Sequence, residues 1–574
     1  MVPSSSQPSD QPESLPDLTQ PGERRRIWDR QLLCALLLAV VVLVPRSMLI
    51  SAAHSESDDD EYHLNRGLAF LTGKLGAREM NDPPLGEAIS AFPMWLVGCR
   101  IDSPPGARGL YGYRISPETI LNLIVAWKAL LFVPLVGLVF LWCRRLYGLA
   151  SAWLTACLVL VEPTFAAHVG LPTIDVICVE GIVMACFLAW RLLQKPTLGR
   201  SIALACATAV ALMLKQTAIL LPALYGVYLV IWLIRSRAGA RRRVLMLLTA
   251  LVAAAPVIWA MTGFDYSRPI DYMVPLPPSR HAKADPLRQF AKHRMPAGVY
   301  IGSCLHAFEH AAKGHSGYLF GQKSKKGWWY YFPVVASYKV PLGIALVIGL
   351  GLLSFIFVRF RFGEWALLVP MIAYSAWLMW AHIDIGFRHF LPPYVFMLMV
   401  ASRCAAGGGV WRCLSWIGLT AAAVHGFVFH PDYLSYINFS RGVPYLAISD
   451  SNVDWGQSLK QIGKWLDEHP QNGRRVFLRY FGNDRKSVEH YLGDRVFLLH
   501  NLDAPPTDGL LIISPVRVAG VYDPQDRYAA LRPFAPEARI GHSMLVYDLD
   551  RLRKRGFSWG PLKPGPPAGK VFDE

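Results

Sequence analysis

The sequence is dominated by apolar runs of about 20 residues, the length a helix needs to cross the hydrocarbon core of a bilayer. They fall near 31–50, 119–142, 149–165, 172–193, 200–216, 217–234, 244–262, 338–358, 364–381, 389–403 and 411–429. With 53% hydrophobic and 17% charged residues over 574 positions, the chain lacks the polar surface that a soluble protein of this size needs. The expected fold class is an α-helical multispanning membrane protein with about eleven spans.

Basic residues set the orientation of such a chain. Arg24-Arg25-Arg26, Arg144-Arg145, Arg191 with Lys195, Arg241-Arg242-Arg243, Arg359 with Arg361, and Arg403 with Arg412 recur at every second loop. All fall on one side if the N-terminus is cytoplasmic and the spans alternate. The formal charge of +17 is therefore read as positive-inside loops, and nucleic acid is rejected as a partner. Residues 1–30 read as a disordered cytoplasmic tail, followed by a retained anchor rather than a cleaved signal. The expected location is the inner (plasma) membrane, with membrane lipids as neighbours.

This topology places four segments outside: loop 51–118, the Glu162–Asp175 turn, loop 263–337, and the tail from 430. Loops this long are usually functional. In the first, Tyr62, Leu64, Leu68, Phe70 and Leu71 can share the apolar face of an interfacial helix. In the tail, helical patterns at Leu459–Leu466 and Asp484–Leu492 alternate with strand patterns at Val476–Tyr480, Leu510–Ile513 and Met544–Tyr547. The domain expectation is a membrane module over 31–429, a small extracytoplasmic α/β domain over 430–552, and a disordered tail over 553–574.

Asp58-Asp59-Asp60-Glu61-Tyr62-His63 follows directly on the first apolar run, with Asn81-Asp82-Pro83-Pro84-Leu85 a little further on. Four carboxylates beside a span cannot face lipid and must sit at the water interface. A solvated acidic loop is the plain reading. Asp59-Asp60-Glu61-Tyr62-His63 with Gly67, and Pro83-Pro84-Leu85 with Asp82 where His is usual, resemble motifs of the GT-C superfamily of glycosyltransferases. Gly317–Gly321, Trp328–Pro333, Asp384–Pro392 and Asp450–Gln457 resemble its later signatures, in the same order and on the same side. The similarity is to bacterial relatives of the protein O-mannosyltransferases and lipid A aminoarabinose transferases.

That resemblance implies transfer of a sugar from a polyprenyl-phosphate donor to a hydroxyl of a protein, lipid or glycan on the outer face. A hydroxyl nucleophile needs a carboxylate to take its proton, and a single displacement inverts the anomeric centre. Spacing from His63 puts the family's acidic pair on Asp59-Asp60, whereas residue type puts it on Asp60-Glu61, so Asp59, Asp60 and Glu61 all stand as catalytic candidates. The leaving phosphate needs cations, for which Arg388, Lys215 and His389 are available, Arg388 first because it binds phosphate bidentately. Asp175 is a candidate for acceptor or metal binding, against a helix cap, and Glu162 a weaker one of the same kind. The chemistry requires no cofactor and assigns no metal, though a divalent cation at the acidic loop stays open.

Three further features have competing readings. His306-Ala307-Phe308-Glu309-His310 matches the HxxEH form of a zinc protease, but no clear third ligand follows. Cys99 and Cys304 share the outer side, either as a disulfide or as unrelated thiols. Asp450 and Asp454 read as structural, Asp454 capping a helix from Trp455 or Gly456. The rival functional class is a flippase or transporter of lipid-linked sugars, but no internal repeat is seen and the charged candidates gather at one interface.

Overall fold

A computed structural model describes residues 30–74, 82–100, 110–273, 286–438, 443–482, 484–501 and 503–560. The N-terminal tail up to residue 29, Asn81 and the segment from 561 onward lie outside these residues. Ten helices lead the chain: α1 (Arg30–Ala53), α2 (Asp60–Leu71), α3 (Pro84–Leu96), α4 (Pro117–Tyr147), α5 (Leu149–Val161), α6 (Pro163–Gly170), α7 (Asp175–Gln194), α8 (Leu198–Leu214), α9 (Leu221–Arg235) and α10 (Ala240–Met261). Beyond the second long loop come helices Leu342–Phe357, Trp365–Trp380, Leu391–Ala401 and Gly409–Val428.

Every expected span falls on a helix. Among the described residues seven helices are long and apolar enough to cross a membrane, or eight if the bent α5–α6 pair counts as one. Leu198–Leu214 and Leu342–Phe357 are apolar but shorter, and Gly409–Val428, on the expected span 411–429, falls in neither group, so the eleven expected spans are not all matched. The expected run 149–165 breaks at Glu162-Pro163, where the two helices meet at 56°. Proline cannot continue the hydrogen-bond ladder, and Glu162 caps the new helix by accepting from the Phe165 amide at 2.7 Å. The run expected from 338 instead starts at Leu342, because Pro341 divides it from a short helix, Tyr331–Lys339.

Burial sorts the spans. The stretch Phe387–Gly407 and α7 form the centre, packed against α4. In contrast, α1, α9 and α10 leave Val41, Ile234 and Val252 open on apolar faces, as lipid contact requires.

Around the acidic loop, α2 and α3 lie so close that a Cβ on Gly67 would stand 2.0 Å from the Glu87 carbonyl oxygen. The pair buries Leu64, Leu68, Ala91 and Met94 against Leu110 and Ile120. The expected apolar face of α2 therefore meets protein rather than lying flat on lipid, while Tyr62 stays exposed. In the second loop, Gly317–Leu319 and Gln322–Ser324 form a hairpin whose turn holds Phe320 and Gly321 at positive φ of 47° and 78°.

The tail carries a five-stranded sheet in the order Phe497–Leu498, Val476–Arg479, Leu510–Ile513, Met544–Asp548, Ala538–Ile540. The first three strands are parallel and the last two antiparallel to their neighbours. Helices Leu459–Glu468 and Arg485–Leu492 pack on one face through Leu459, Ile462, Val488 and Leu492. The other face is covered by Val516, Val518, Leu531 and Phe557. The last helix, Leu549–Lys554, runs past the expected boundary at 552. Phe557 is buried and Trp559 donates to the Pro506 carbonyl at 2.8 Å, so residues 553–560 belong to the folded domain rather than to a disordered tail.

Candidate active site

The acidic loop is fixed by the tail. The amide of Ser55 donates to Gln457 O at 2.9 Å, and that of Asp58 to Trp455 O at 3.0 Å. These two bonds seat residues 55–60 on the stretch Asp450–Gln457, the last of the motifs read from the sequence. The three acidic candidates then diverge. Asp60 is fully buried and accepts from the Ser57 amide at 2.7 Å. Burial pushes its pKa up to about 6 against the opposing pull of that bond. Glu61 turns toward the tail domain, where burial and the nearby Asp484 push it up to about 7. Asp59 has a side chain 44% exposed, and its Oδ2 lies 3.9 Å from Arg388 Nη1.

Arg388 comes from the other end of the chain. Gly386 starts its short 3₁₀ turn (Phe387–Phe390), and a Cβ there would meet Ser451 Oγ at 2.4 Å. Ser451 donates to Ile385 O at 2.7 Å, and the Phe387 amide donates to Asn452 Oδ1 at 2.9 Å. The Arg388 guanidinium carbon then lies over the Trp455 ring, 3.7 Å from its centroid. A cation–π contact of this kind holds the cation without using its N–H groups. Its Nε is buried without a hydrogen-bond partner, as is Nε2 of His389.

Asp175 completes the cluster. It is the first residue of α7, with Ile174 at the N-cap position, so it does not stand where a capping side chain would. Its Oδ1 instead takes a 2.6 Å bond from Lys215 Nζ, and His168 Nδ1 lies 3.8 Å from its Oδ2. Lys215 is thus locked onto a carboxylate rather than snorkelling to headgroups. Arg388 and His389 lie within electrostatic reach of the same carboxylate. Asp59, Asp175, Lys215, Arg388 and His389, from four distant segments, therefore belong to one charged cluster. Asp60 is set behind it and Glu61 points away.

Several contributors were not selected from the sequence. His63 Nδ1 and Glu87 Oε1 are 2.8 Å apart, and Arg66 Nε stands 3.3 Å from Glu87 Oε2. Burial alone would keep His63 neutral, but the bond and charge of Glu87 outweigh it and raise its pKa. His63, Asp82 and Glu87 bring ligand atoms within 4.8 Å of one another, and no other such group occurs among the described residues. Arg66 already balances part of their charge. Lys128, fully buried in α4, donates to the carbonyls of His168 at 2.9 Å and of Leu171. Both Glu87 and Lys128 had a sequence signal, a lone charge in an apolar helix.

The remaining motifs serve as scaffold. Asp384 is buried against Gly327 and accepts from the Trp328 amide at 2.6 Å. Tyr331 of the aromatic run is buried and takes a 3.1 Å bond from Asn452 Nδ2. Asp450, at φ 66°, accepts from Tyr522 and from the Ser451 amide. Asp454 accepts from Ser514 and from the Gly456 amide, because the helix expected at Trp455 starts only at Leu459. Glu309 of the HxxEH stretch is held by Arg288, with Nε 2.6 Å from Oε1, so it is not poised as a base. Cys99 and Cys304 are free and buried.

Residues 118–259 match the family described as dolichyl-phosphate-mannose-protein mannosyltransferase. No curated protein matches the chain. Two crystal structures of ArnT from Cupriavidus metallidurans, bound to undecaprenyl phosphate and apo, are 15% and 14% identical. Each covers 89% of this chain and 97% of its own, with a TM-score of 0.44. The oligosaccharyltransferase AglB from Archaeoglobus fulgidus, in complex with an inhibitory peptide and a dolichol-phosphate, is 11% identical with a TM-score of 0.47. That match covers 82% of this chain and 64% of AglB. The likeness to a protein family is thus carried by residues 118–259, which are similar to the dolichyl-phosphate-mannose-protein mannosyltransferases.

Proposed function

We propose that the protein transfers a sugar from a polyprenyl-phosphate donor to a hydroxyl acceptor on the outer face of the membrane, with inversion at the anomeric carbon. The carrying observation is the pairing of a solvent-open carboxylate, Asp59, with a cation, Arg388, whose buried Nε has no partner. Buried donors are nearly always satisfied, so an orphan on a cation beside an exposed carboxylate supports an anionic ligand there. The donor phosphate takes the place of Asp59 at Arg388, Lys215 adds positive field as charge develops on the leaving group, and His389 offers its neutral ring as a hydrogen-bond donor through Nε2. Asp59, released from its loose pair, removes the acceptor proton as the oxygen attacks the sugar.

Asp175 positions Lys215 through their 2.6 Å bond, and Trp455 holds Arg388 toward the phosphate. The positive charge is supplied by side chains, so the step as proposed requires no metal. The C-terminal domain, whose Asp450–Gln457 stretch supports both Arg388 and the acidic loop, closes the site from the aqueous side. The test is Arg388→Lys, which keeps the charge but loses the planar fork. The reading expects donor KM to rise at least tenfold while the melting temperature holds. Unchanged donor KM would remove Arg388 from the phosphate site.

A further inference from the structure

The end of the bundle opposite the acidic loop has a chemistry of its own. Its turns hold Arg144, Arg145, Arg191, Arg241, Arg361 and Arg412 among others, while Glu364 is the sole carboxylate among their described residues. That carboxylate is spent, since Arg403 Nε lies 2.8 Å from its Oε2. Among the described residues this surface is therefore rich in arginines and carries no further carboxylate.

A groove of about 660 Å³ opens there between the turn Tyr147-Gly148-Leu149 and residues Ala405 and Ala406. Trp153 and Trp416 line its sides, and Arg412 stands at its rim. Arg412 is exposed and gives only its Nε to the chain, to Ala405 O at 3.3 Å. Trp153 is anchored through Nε1 to Gln31 at the start of α1, 3.0 Å away, which places the groove at the level where the spans begin. Below Trp416, on the same side of the Gly409–Val428 helix, stand Val424 and Phe427, both exposed and apolar.

A cation at the rim, two indoles at the interface and an apolar track below match the three parts of one ligand class. We propose that this groove binds an anionic phospholipid, its phosphate on Arg412, its glycerol region between Trp153 and Trp416, and an acyl chain along the helix Gly409–Val428. This site lies at the far end of the bundle from the sugar-transfer cluster and does not depend on that reading. Charge complementarity selects the occupant, because a zwitterionic headgroup would bring a second cation into a surface already crowded with arginines.

Native mass spectrometry of the full chain, released from detergent with phosphatidylglycerol or phosphatidylcholine, tests this. Wild type is expected to retain one phosphatidylglycerol at least fivefold better than phosphatidylcholine. Arg412→Gln should lose that preference and Trp416→Ala weaken it, whereas Arg241→Gln, on a different turn, should keep it. Equal retention of the two lipids, survival of the preference in Arg412→Gln, or equal loss in Arg241→Gln would overturn the proposal. Soluble glycerol phosphate raising the melting temperature as much as the lipid would overturn it too, by showing a phosphate site without a lipid track.

Discussion

At the scale of single residues, the three neighbouring carboxylates are separated by what surrounds them. Asp59 is open and faces a cation, whereas Asp60 has no accessible surface. Loss of a general base costs roughly 10²- to 10⁴-fold in rate. Asp59→Asn should fall in that range, with kcat rather than donor KM carrying the loss, and Glu61→Gln should stay within a few-fold of wild type. Asp384 gives a different kind of prediction. Burial pushes its pKa up to about 6, against 3.8 for the free side chain, the bond from Trp328 opposing only in part. A carboxyl whose folded pKa is raised is most favourable when protonated, so its contribution is present in acid and is lost as pH rises from about 4 through 6. The difference of about two pKa units amounts to roughly 3 kcal/mol. Asp384→Asn, which still accepts from the Trp328 amide, should flatten the melting profile between pH 4 and 7; an unchanged slope there would contradict the assignment.

At the scale of elements, the spans were legible because their apolar runs outlast any soluble helix, and the tail's strands because alternating and buried runs are short and bounded by turns. Leu510–Ile513 appears where the residues place it. What escaped was contact between distant segments. Nothing local to Asp59 announces Arg388, and only the ordered motifs hinted that loop 51–118 and residues 384–457 share a site. Asp175 could be read as ligand or as cap because its partner, Lys215, lies in another segment. Gly67 is the clearest example of an element-scale constraint, since it permits the approach that brings His63 to Glu87. Gly67→Ala would drive a Cβ into the Glu87 backbone, which cannot yield as a side-chain tip would. Overpacking of this kind costs about 1–3 kcal/mol. The variant should melt earlier and lose transfer, while Gly226→Ala, on a helical backbone where a Cβ meets nothing within 4 Å, should keep its activity. Equal activity in the two would show that α2 and α3 do not set the site.

At the scale of the whole molecule, the tail domain is bonded to the acidic loop and under the proposed reaction completes the site. Asp432 binds three partners at once: His54 Nε2 at 2.9 Å from the end of α1, and His542 Nδ1 at 2.9 Å and Gln461 Nε2 at 2.7 Å from the tail. Glu56 adds bonds to Ser487 and Tyr111. Asp432→Ala strands buried polar groups, at about 1–3 kcal/mol for each one left unsatisfied. Faster proteolysis of the tail together with lower transfer is expected, and normal transfer with a loosened tail would show that the domain does not complete the site. A chelator should leave transfer unchanged, because Arg388 and Lys215 supply the charge; loss on chelation restored by Mn²⁺ would point to His63, Asp82 and Glu87 as a working metal site. The most direct measurement is sugar transfer by the purified full chain in lipid, with a panel of polyprenyl-phosphate sugars, for wild type beside Asp59→Asn, Asp60→Asn and Glu61→Gln. The account predicts transfer from at least one donor that disappears in Asp59→Asn while that variant still binds donor and melts normally. Full transfer by Asp59→Asn, or donor binding without turnover by wild type, would contradict it.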